Sequence, residues 1–440
     1  MNEHQNIEWK ASWRDEYLKW ICGFANSNGG KLYIGKSDKG EIVGISNYKK
    51  LMEDIPNKIQ TTLGIVCDVN LFEINGKHFI EIEVKPYSIA ISYQGKYYYR
   101  SGSTKQELKG NSLNEFLLKK CGKTWDDVVE SRASLSDIDF KAIESFKGAA
   151  LKSKRLSFIE DESDLMQILD NLLLVENNQL KRAAILLFGK YPTRFYINSY
   201  VKIGRFGETD DDLKYQEIIE GNIFEIADRT LDVLDKKFLI SPISYEGIQR
   251  IEKWTYPYKA VREAIINSIA HRNYNGAPVQ ISVYNDKLVF WNEGTLPEGM
   301  TAEDLKRKHS SRPYNPVIAS VFFKGGLIEA WGRGTIKIVN ECIDAGLPEP
   351  DFNAEYGGIT VTLYRDKYTQ KYLIDIGLNE RQLKAIVYLK EHSKITSSEY
   401  QSFFNITNRT ALRDLNELIN KDLIQKRGEK KGTYYFLIRK

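Results

Sequence analysis

Glu263-Ala-Ile-Ile-Asn267-Ser-Ile-Ala-His271 is the stretch that decides the interpretation of this chain of 440 residues. Its polar residues Glu263, Asn267 and His271 are spaced by four, which predicts that they share one face of a helix. On the opposite face the pattern places the apolar residues Val261, Ile265 and Ile269. A carboxylate can orient a water for attack on a phosphoryl group, and an amide oxygen can ligate Mg2+. The alternative is the solvated polar stripe of an ordinary amphipathic helix.

A second stretch, Trp291-Asn292-Glu293-Gly294, follows an alternating segment. Apolar residues alternate from Pro278 to Trp291 around Asn285-Asp286, which predicts a β-hairpin. Asn292 and Gly294 then lie at the strand's end. There an Asn side chain could accept a hydrogen bond from an adenine amine, and Gly would let the backbone approach the base. A plain strand-end turn also favours these two residues.

The third stretch, Trp331-Gly332-Arg333-Gly334-Thr335, precedes a periodic apolar segment that predicts a helix ended by Gly346. Amide groups at a helix N-terminus bind phosphate, and glycine lets a phosphate approach them closely. A Gly-x-Gly by itself is usually a turn. The prediction of a nucleotide triphosphate site therefore depends on all three stretches occurring in this order.

The three stretches resemble the N, G1 and G2 boxes of the GHKL ATPase superfamily, and in particular the divergent ATPase domain of bacterial proteins labelled RecG-like or transcriptional regulators. The resemblance implies ATP and Mg2+ as ligands, with Glu263 as catalytic base, Asn267 as the Mg2+ ligand and Asn292 as the adenine contact. The charged segment 301–312 would be a lid over the phosphates. The other implied nucleotide-site residues are His271, Gly294, Arg312, Gly332, Arg333, Gly334 and Thr335.

One residue departs from the superfamily pattern. Most members have Asp where this chain has Asn292. Whether ATP is hydrolysed or only bound therefore stays open.

The N-terminal segment predicts a helix over 14–26 and strands over 31–35, 41–45, 78–84 and 96–100. Residues 1–120 resemble the Schlafen AlbA-type domain through Glu8-Trp9-Lys10, Phe24-Ala-Asn-Ser-Asn-Gly-Gly30 and Tyr99-Arg-Ser-Gly-Ser103. The resemblance implies nucleic-acid binding. Lys10, Arg100 and Lys105 are the candidate phosphate contacts.

A metal-dependent nuclease is the competing function of this segment. In Schlafen nucleases two glutamates and an aspartate form an acidic site that cleaves RNA, and Glu3, Glu8 and Asp38 fall at the corresponding places. Carboxylates around Mg2+ or Mn2+ could activate water. The alternative is that Glu3 lies on a mobile terminus, that Glu8 begins a strand and that Asp38 favours its turn.

The C-terminal segment 378–440 has the pattern of a winged helix-turn-helix. Helices are predicted from 380, 396 and 407, with Val387 and Leu412 on apolar faces, and two strands flank a basic loop. The segment contains 13 Lys and Arg against 7 Asp and Glu, a net charge of +6. The candidate nucleic-acid contacts are Arg409, Thr410, Arg413, Lys430 and Lys431. A winged helix used only for protein contact is the alternative.

Length predicts a multidomain protein, and the two resemblances imply that its domains are α/β. A chain of 440 residues suggests about three domains. The boundaries that we predict are 1–122 for the AlbA-type domain, 123–205 for a connector, 206–367 for a GHKL-type α/β sandwich and 374–440 for the winged helix. Within the connector, Lys181–Gly189 is predicted as a buried strand.

The remaining features favour a cytoplasmic location. The four cysteines lack the spacing of a zinc site or a disulfide framework and are expected to be buried thiols. No apolar run approaches the length of a membrane span, and residues 1–10 are polar.

The sequence thus predicts an ATP-binding, nucleic-acid-binding regulator or defence module, in which ATP orders the lid and changes how the flanking domains are presented. An ATP-controlled, Schlafen-like ribonuclease is the second hypothesis, and a DNA-binding repressor with a degenerate ATPase domain is the third. DNA or RNA as the target stays open. Superfamily relatives often form homodimers, but no segment marks an interface.

Overall fold

The structure is a computed structural model that describes residues 4–156, 164–239, 243–246, 249–252, 254–297, 299–329, 332–429 and 432–438. Only the backbone is described for 243–246, 249–252 and residue 371. The chain divides into two compact units, Met1–Val128 and Val129–Lys440. Mixed α/β structure runs through both units, as the sequence predicts.

The first unit is built on a four-stranded sheet with strand order β1-β2-β4-β3. Strands β1 and β2 are parallel and the other pairs are antiparallel. In chain order its elements are β1 (Ile7–Lys10), α1 (Leu18–Asn26), β2 (Gly30–Ile34), α2 (Tyr48–Leu63), β3 (Asp68–Ile74), β4 (Lys77–Val84), β5 (Ser92–Tyr93), β6 (Lys96–Ser101), β7 (Thr104–Glu107) and α3 (Gly110–Lys120). The strand predicted over 41–45 is reduced to a single bridge between Lys36 and Ile42.

The Asn-Gly-rich stretch after α1 has a structural role. The Asn26 amide donates to the carbonyls of Ile91 and Tyr98, at 2.8 Å each, and so ties the end of α1 to the β5–β6 hairpin. A β-carbon on Gly30 would lie 2.4 Å from the Phe24 ring, so only glycine fits there. The Phe24–Gly30 motif therefore fixes how the helix packs on the sheet.

The second unit contains a six-stranded sheet with strand order β11-β10-β14-β15-β17-β16. Only β10 and β14 pair in parallel. Before and within it lie α4 (Phe140–Ser153), α5 (Leu165–Asn171), β8 (Val175–Glu176), β9 (Gln179–Leu180), α6 (Arg182–Phe188), β10 (Val201–Phe206), β11 (Leu213–Ile219), α7 (Ile223–Val233), β12 (Ile243–Glu246), β13 (Gln249–Glu252), α8 (Tyr258–Ala270), β14 (Val279–Val283), β15 (Lys287–Glu293), α9 (Pro316–Lys324), α10 (Gly334–Asp344), β16 (Asp351–Glu355) and β17 (Gly358–Tyr364). Helix α8 packs against β15 and between α7 and α10, which places it at the centre of this unit.

The strand predicted over Lys181–Gly189 is wrong, because residues 182–188 form helix α6. Every residue from Ala183 to Phe188 is buried. A run that is apolar on all sides carries no period, so it cannot distinguish a buried strand from a buried helix. The two consecutive alanines favour the helix that forms.

The C-terminal part of the second unit has its own core. This C-terminal part comprises α11 (Gln370–Asp375), α12 (Glu380–His392), α13 (Ser397–Phe404), α14 (Asn408–Asn420), β18 (Ile424–Arg427) and β19 (Tyr434–Leu437). The predicted cap at Thr396 is present, since its hydroxyl accepts from the Glu399 amide. Val387 and Leu412 were predicted on apolar faces but are 57% and 37% exposed.

Two further predictions bear on chemistry and location. Cys22 and Cys342 are buried as expected, but Cys121 is exposed, at the end of α3 where its neighbours are polar. Among the described helices, none combines the length and apolar character needed to cross a bilayer.

Candidate functional site

Helix α8 carries the first predicted stretch, but it is not the two-faced helix that the sequence suggests. Pro257 precedes its first turn and His271 follows its last. Val261, Ile265 and Ile269 are buried as predicted, yet Glu263 is only 6% exposed as well. Asn267 and His271 are partly exposed. Glu263 therefore points into packed structure, and only the last turn of the polar row meets solvent.

The glycine turn of the third stretch lies directly against this polar row. A β-carbon on Gly334 would be 2.3 Å from Glu263 Oε1 and 3.2 Å from Asn267 Nδ2. Gly334 is the first residue of α10, so the free amides of that helix begin beside the carboxylate and the amide. The buried hydroxyl of Thr335 has no hydrogen-bond partner among the described residues, whereas the Asn267 side chain hydrogen-bonds the Glu263 carboxylate. Buried polar atoms are rarely left without a partner, so the Thr335 hydroxyl is available to a ligand.

The segment predicted as a lid runs along the same turn. Gly332 has a φ of +62°, and a β-carbon there would lie 2.2 Å from the His309 carbonyl oxygen. The segment contains a short 3-10 helix, Ala302–Lys306, capped by Thr301 and Asp304. Arg312 and Arg333 are exposed at its margin.

The second stretch reaches the other end of α8. The backbone amide of Asn273 donates to the Glu293 carbonyl at 2.7 Å, which ties the end of β15 to the end of the helix. Asn292 is 5% exposed. A β-carbon on Gly294 would be 3.0 Å from the His271 carbonyl oxygen and 3.5 Å from Asn292 Nδ2. The structure thus brings the three stretches to one place.

Burial and neighbouring charges shift the pKa values of Glu263 and His271. Burial raises the pKa of Glu263, the positive charges of Lys337 and Arg262 oppose the rise, and Glu329 adds to it. Burial and the neighbouring His309 lower the pKa of His271 to about 4. The sequence analysis did not identify Lys337. Its position could have indicated it, since it is a cation one turn after Gly334 in the same helix.

Asn315 is a second residue that sequence reasoning did not single out. It is fully buried, and its amide donates to the carbonyls of Ala270 and Arg272 at 3.0 and 2.8 Å. These carbonyls have no hydrogen-bond partner within α8, because the helix ends there. Asn315 therefore fixes the end of the helix that carries Glu263. The signal for it was the Arg312-Pro-Tyr-Asn-Pro316 stretch.

The acidic site predicted in the first unit is not assembled in the described residues. Glu8 is 3% exposed, and its carboxylate lies 2.8 Å from Arg100 Nη1 and 2.6 Å from Lys10 Nζ. Asp38 is exposed in a turn. Glu3 lies outside the described residues, and within these no group of three His, Cys, Asp or Glu side chains could hold a metal ion. Glu8 therefore serves an ion pair here, and the nuclease site stays a prediction.

The placement of Arg100 corrects its prediction as a phosphate contact. Its side chain is fully buried, pairs with Glu8 and donates to the carbonyls of His4, Gln5 and Ile7. A guanidinium engaged in this way cannot reach a phosphate unless the buried ion pair is broken, which is costly.

Lys10 and Lys105 both lie near the partly exposed Trp20. The Lys105 and Lys10 ammonium groups are 4.4 and 5.3 Å from the centre of the Trp20 ring. Burial, followed by the positive charge of Lys19, lowers the pKa of Lys105. Two cations therefore lie near one aromatic side chain, and Lys19 adds positive charge close to Lys105.

The predicted contacts of the C-terminal part lie at the start of α14. Thr407 caps the helix, Arg409 and Arg413 are exposed, and Thr410 is partly buried. Asp414 faces inward, where it accepts from Arg381 Nε at 2.9 Å and so joins α14 to α12. Lys430 and Lys431 lie outside the described residues.

Two families match parts of the chain. Residues 3–109 match the family described as "Schlafen, AlbA_2", and residues 276–363 match HATPase_c_4, described as "Putative ATP-dependent DNA helicase recG C-terminal". The second match includes Asn292, Gly332 and Gly334 but begins after Glu263 and Asn267.

The whole-chain comparisons add one structure. No curated protein matches the chain. The DIP2311 protein from Corynebacterium diphtheriae is 16% identical, with 99% of this chain and 95% of that chain covered and a TM-score of 0.43. What the family matches show is that this chain carries an AlbA_2 segment of the Schlafen type and a RecG-type ATPase segment, the composition of a nucleic-acid-related ATPase.

Proposed function

We propose that the second unit binds Mg-ATP between α8, the end of β15 and the start of α10, and that the chain is an ATP-controlled nucleic-acid-binding regulator. The observation that carries the proposal is the contact of Gly334 with both Glu263 and Asn267. It sets a carboxylate, an amide and the free end of a helix side by side, the combination that a magnesium triphosphate requires.

The donor set fits the ligand. Thr335 supplies a buried hydroxyl with no partner in the described residues, Asn267 offers its amide oxygen, and glycine clears the space at 332 and 334. Asn267 would ligate the metal, whose bound charge stabilises negative charge on the phosphates. The amides from Gly332 to Thr335, with Arg333 and Arg312 at the margin, would hold the phosphate oxygens. Asn292 and Gly294 would face the base, and His271 would line the wall between them.

Hydrolysis in this site would depend on Glu263. As a base it must be ionised, and its burial disfavours that form. Lys337 and Arg262 oppose this effect, and the ionised carboxylate would orient a water and accept its proton.

Nucleic acid would bind at both ends of the chain. In the first unit, Lys10 and Lys105 lie beside Trp20, where phosphates and bases both find partners. The C-terminal part, within 374–440, would act as a winged helix that presents Arg409, Thr410 and Arg413, with Lys430 and Lys431 in the wing. The domains are proposed at 1–122, 123–205, 206–367 and 374–440.

A thermal-shift titration with ATP and Mg2+ tests the proposal. A ligand at ~100 times its dissociation constant should stabilise the protein by about 2.7 kcal/mol. Asn267→Ala should lose the Mg2+-dependent part of this shift. Asn353→Ala, on the exposed edge strand β16, is the matched control and should keep it.

Two outcomes count against the proposal. If the unaltered protein shows no shift with Mg-ATP, the nucleotide site is refuted. If Asn267→Ala and Asn353→Ala respond equally to Mg-ATP, Asn267 is not the metal ligand.

A further inference from the structure

The loop before the glycine turn is held by an arginine from the connector. Arg155 Nη1 donates to the carbonyls of Phe323 and Ile328, at 2.8 Å each. One guanidinium nitrogen carries two hydrogens, so both bonds can exist at once. The two carbonyls stand on either side of Gly325–Leu327, and Arg155 therefore closes this loop at its base.

The end of α4 adds further contacts to the same loop. The Ser153 hydroxyl donates to the Lys324 carbonyl at 2.9 Å. Gly326 has a φ of +75°, and a β-carbon there would lie 2.9 Å from Ser153 Cβ. The loop thus rests on the last turn of α4 with no room for a side chain.

A second arginine reaches the loop from α8. Arg262 Nη1 donates to the Leu327 carbonyl at 3.2 Å. Arg262 directly precedes Glu263, so the loop is fixed to the same helix that carries the proposed base. The loop is therefore tied to α4 through Arg155 and to α8 through Arg262.

Helix α4 is itself rigidly placed. The Phe146 ring packs against Phe188 at 5.4 Å and against Phe224 at 5.7 Å, and Phe224 packs against Phe322 of α9 at 5.7 Å. Arg155 lies two residues after this helix ends. The helix that precedes Arg155 is thus anchored in the core.

We infer that Arg155 is a positioning residue for the nucleotide site, although it lies far outside the segment 276–363 that matches the ATPase family. The loop ends four residues before Gly332 in the sequence, and the glycine turn must keep contact distance to Glu263 and Asn267. A site displaced by about 1 Å loses much of its function. The inference rests on the proposed function, because it assigns Arg155 to the same ATP site.

The experiment compares Arg155→Ala, Arg155→Lys and Arg229→Ala in the full chain. Arg229 is a matched control, since it is also exposed and donates to one backbone carbonyl, that of Glu220, at 2.8 Å. Titration calorimetry with ATP and Mg2+ measures affinity, and thermal unfolding without ligand measures stability.

We expect Arg155→Ala to bind ATP about tenfold more weakly than Arg229→Ala, at a similar unfolding temperature without ligand. Arg155→Lys should recover part of the loss, because an ammonium can still donate to a carbonyl. If Arg155→Ala unfolds, Ser153→Ala removes one bond from the same loop and should weaken ATP binding less. Equal ATP affinity of Arg155→Ala and Arg229→Ala would overturn the inference about Arg155 but leave the nucleotide site standing. Absence of ATP binding in the unaltered protein would refute the nucleotide site itself.

Discussion

At the scale of single residues, burial decides what each charged side chain can do. Glu8 and Arg100 are charged residues of the AlbA-type motifs, yet both are buried and form an ion pair with each other at 2.8 Å. Glu263 is buried without an ion pair of comparable closeness among the described residues, and burial raises its pKa. A buried carboxylate without a close ion pair lowers the stability of the folded protein when it is ionised. Functional sites commonly contain such groups.

The pH dependence of stability should reveal Glu263. Its pKa in the folded protein lies above the ordinary value of 4.5, so the folded state holds this proton more tightly than the unfolded state does. The resulting stabilisation is complete below pH 4.5 and is lost as the pH rises through the folded pKa. Glu263→Gln stays neutral and should escape this loss.

We therefore expect Glu263→Gln to be more stable than the unaltered protein at pH 7.5, with the difference disappearing towards pH 4.5. Urea unfolding of both proteins across this range measures it. Hydrolysis of ATP should fall by about 10²- to 10⁴-fold, as for loss of a general base, while ATP still binds. A variant that hydrolyses ATP normally would show that Glu263 is not the base.

At the scale of elements, the site depends on how closely two helices approach. Helices α8 and α10 meet where α10 begins, and glycine at 334 permits the contact. Asn315 fixes the end of α8, while Arg155 and Arg262 fix the loop that leads towards α10. No single element contains the proposed site, so the proposal assigns its precision to these connections.

Two glycine-to-alanine substitutions should have different effects, one on ATP affinity and the other on protein stability. Gly334→Ala would set a β-carbon 2.3 Å from Glu263 Oε1, which forces the Glu263 carboxylate out of its position beside the start of α10. ATP affinity should fall at least about tenfold, or ~1.4 kcal/mol. Gly148→Ala, within α4, meets nothing within 4 Å and should stabilise the protein by about 0.5–1 kcal/mol.

Calorimetry of ATP binding and thermal unfolding of both variants provide the measurements. Retention of full ATP affinity in Gly334→Ala would mean that the nucleotide does not bind at the start of α10.

At the scale of the whole molecule, the charge distribution predicts where nucleic acid binds. The net charge of the chain is +4, and the C-terminal segment 378–440 alone carries +6. Protein cations that contact phosphates release bound salt cations from the nucleic acid. Binding driven by such contacts therefore weakens as the salt concentration rises. The salt dependence of affinity therefore counts the contacts that each end supplies.

Arg409→Ala and Arg413→Ala should each reduce the slope of log K against log salt concentration by about one, measured by fluorescence anisotropy with duplex DNA. Lys384→Ala is the control, because this exposed lysine pairs with Glu380 at 2.8 Å on α12. An unchanged slope in both arginine variants would support a C-terminal part that contacts protein instead.

The sequence by itself determined the locally encoded elements: the hairpin β14–β15 from alternation, α10 from its glycine turn and apolar period, and the cap at Thr396. These depend on neighbours within a few residues, so pattern suffices. Only the tertiary structure decided that 182–188 is a helix, that Arg100 is buried against Glu8, that Asn315 bonds the end of α8 and that Arg155 bonds the carbonyls of Phe323 and Ile328. Each of these depends on partners distant in sequence, because burial and hydrogen-bond partners are set by packing, which no local spacing records.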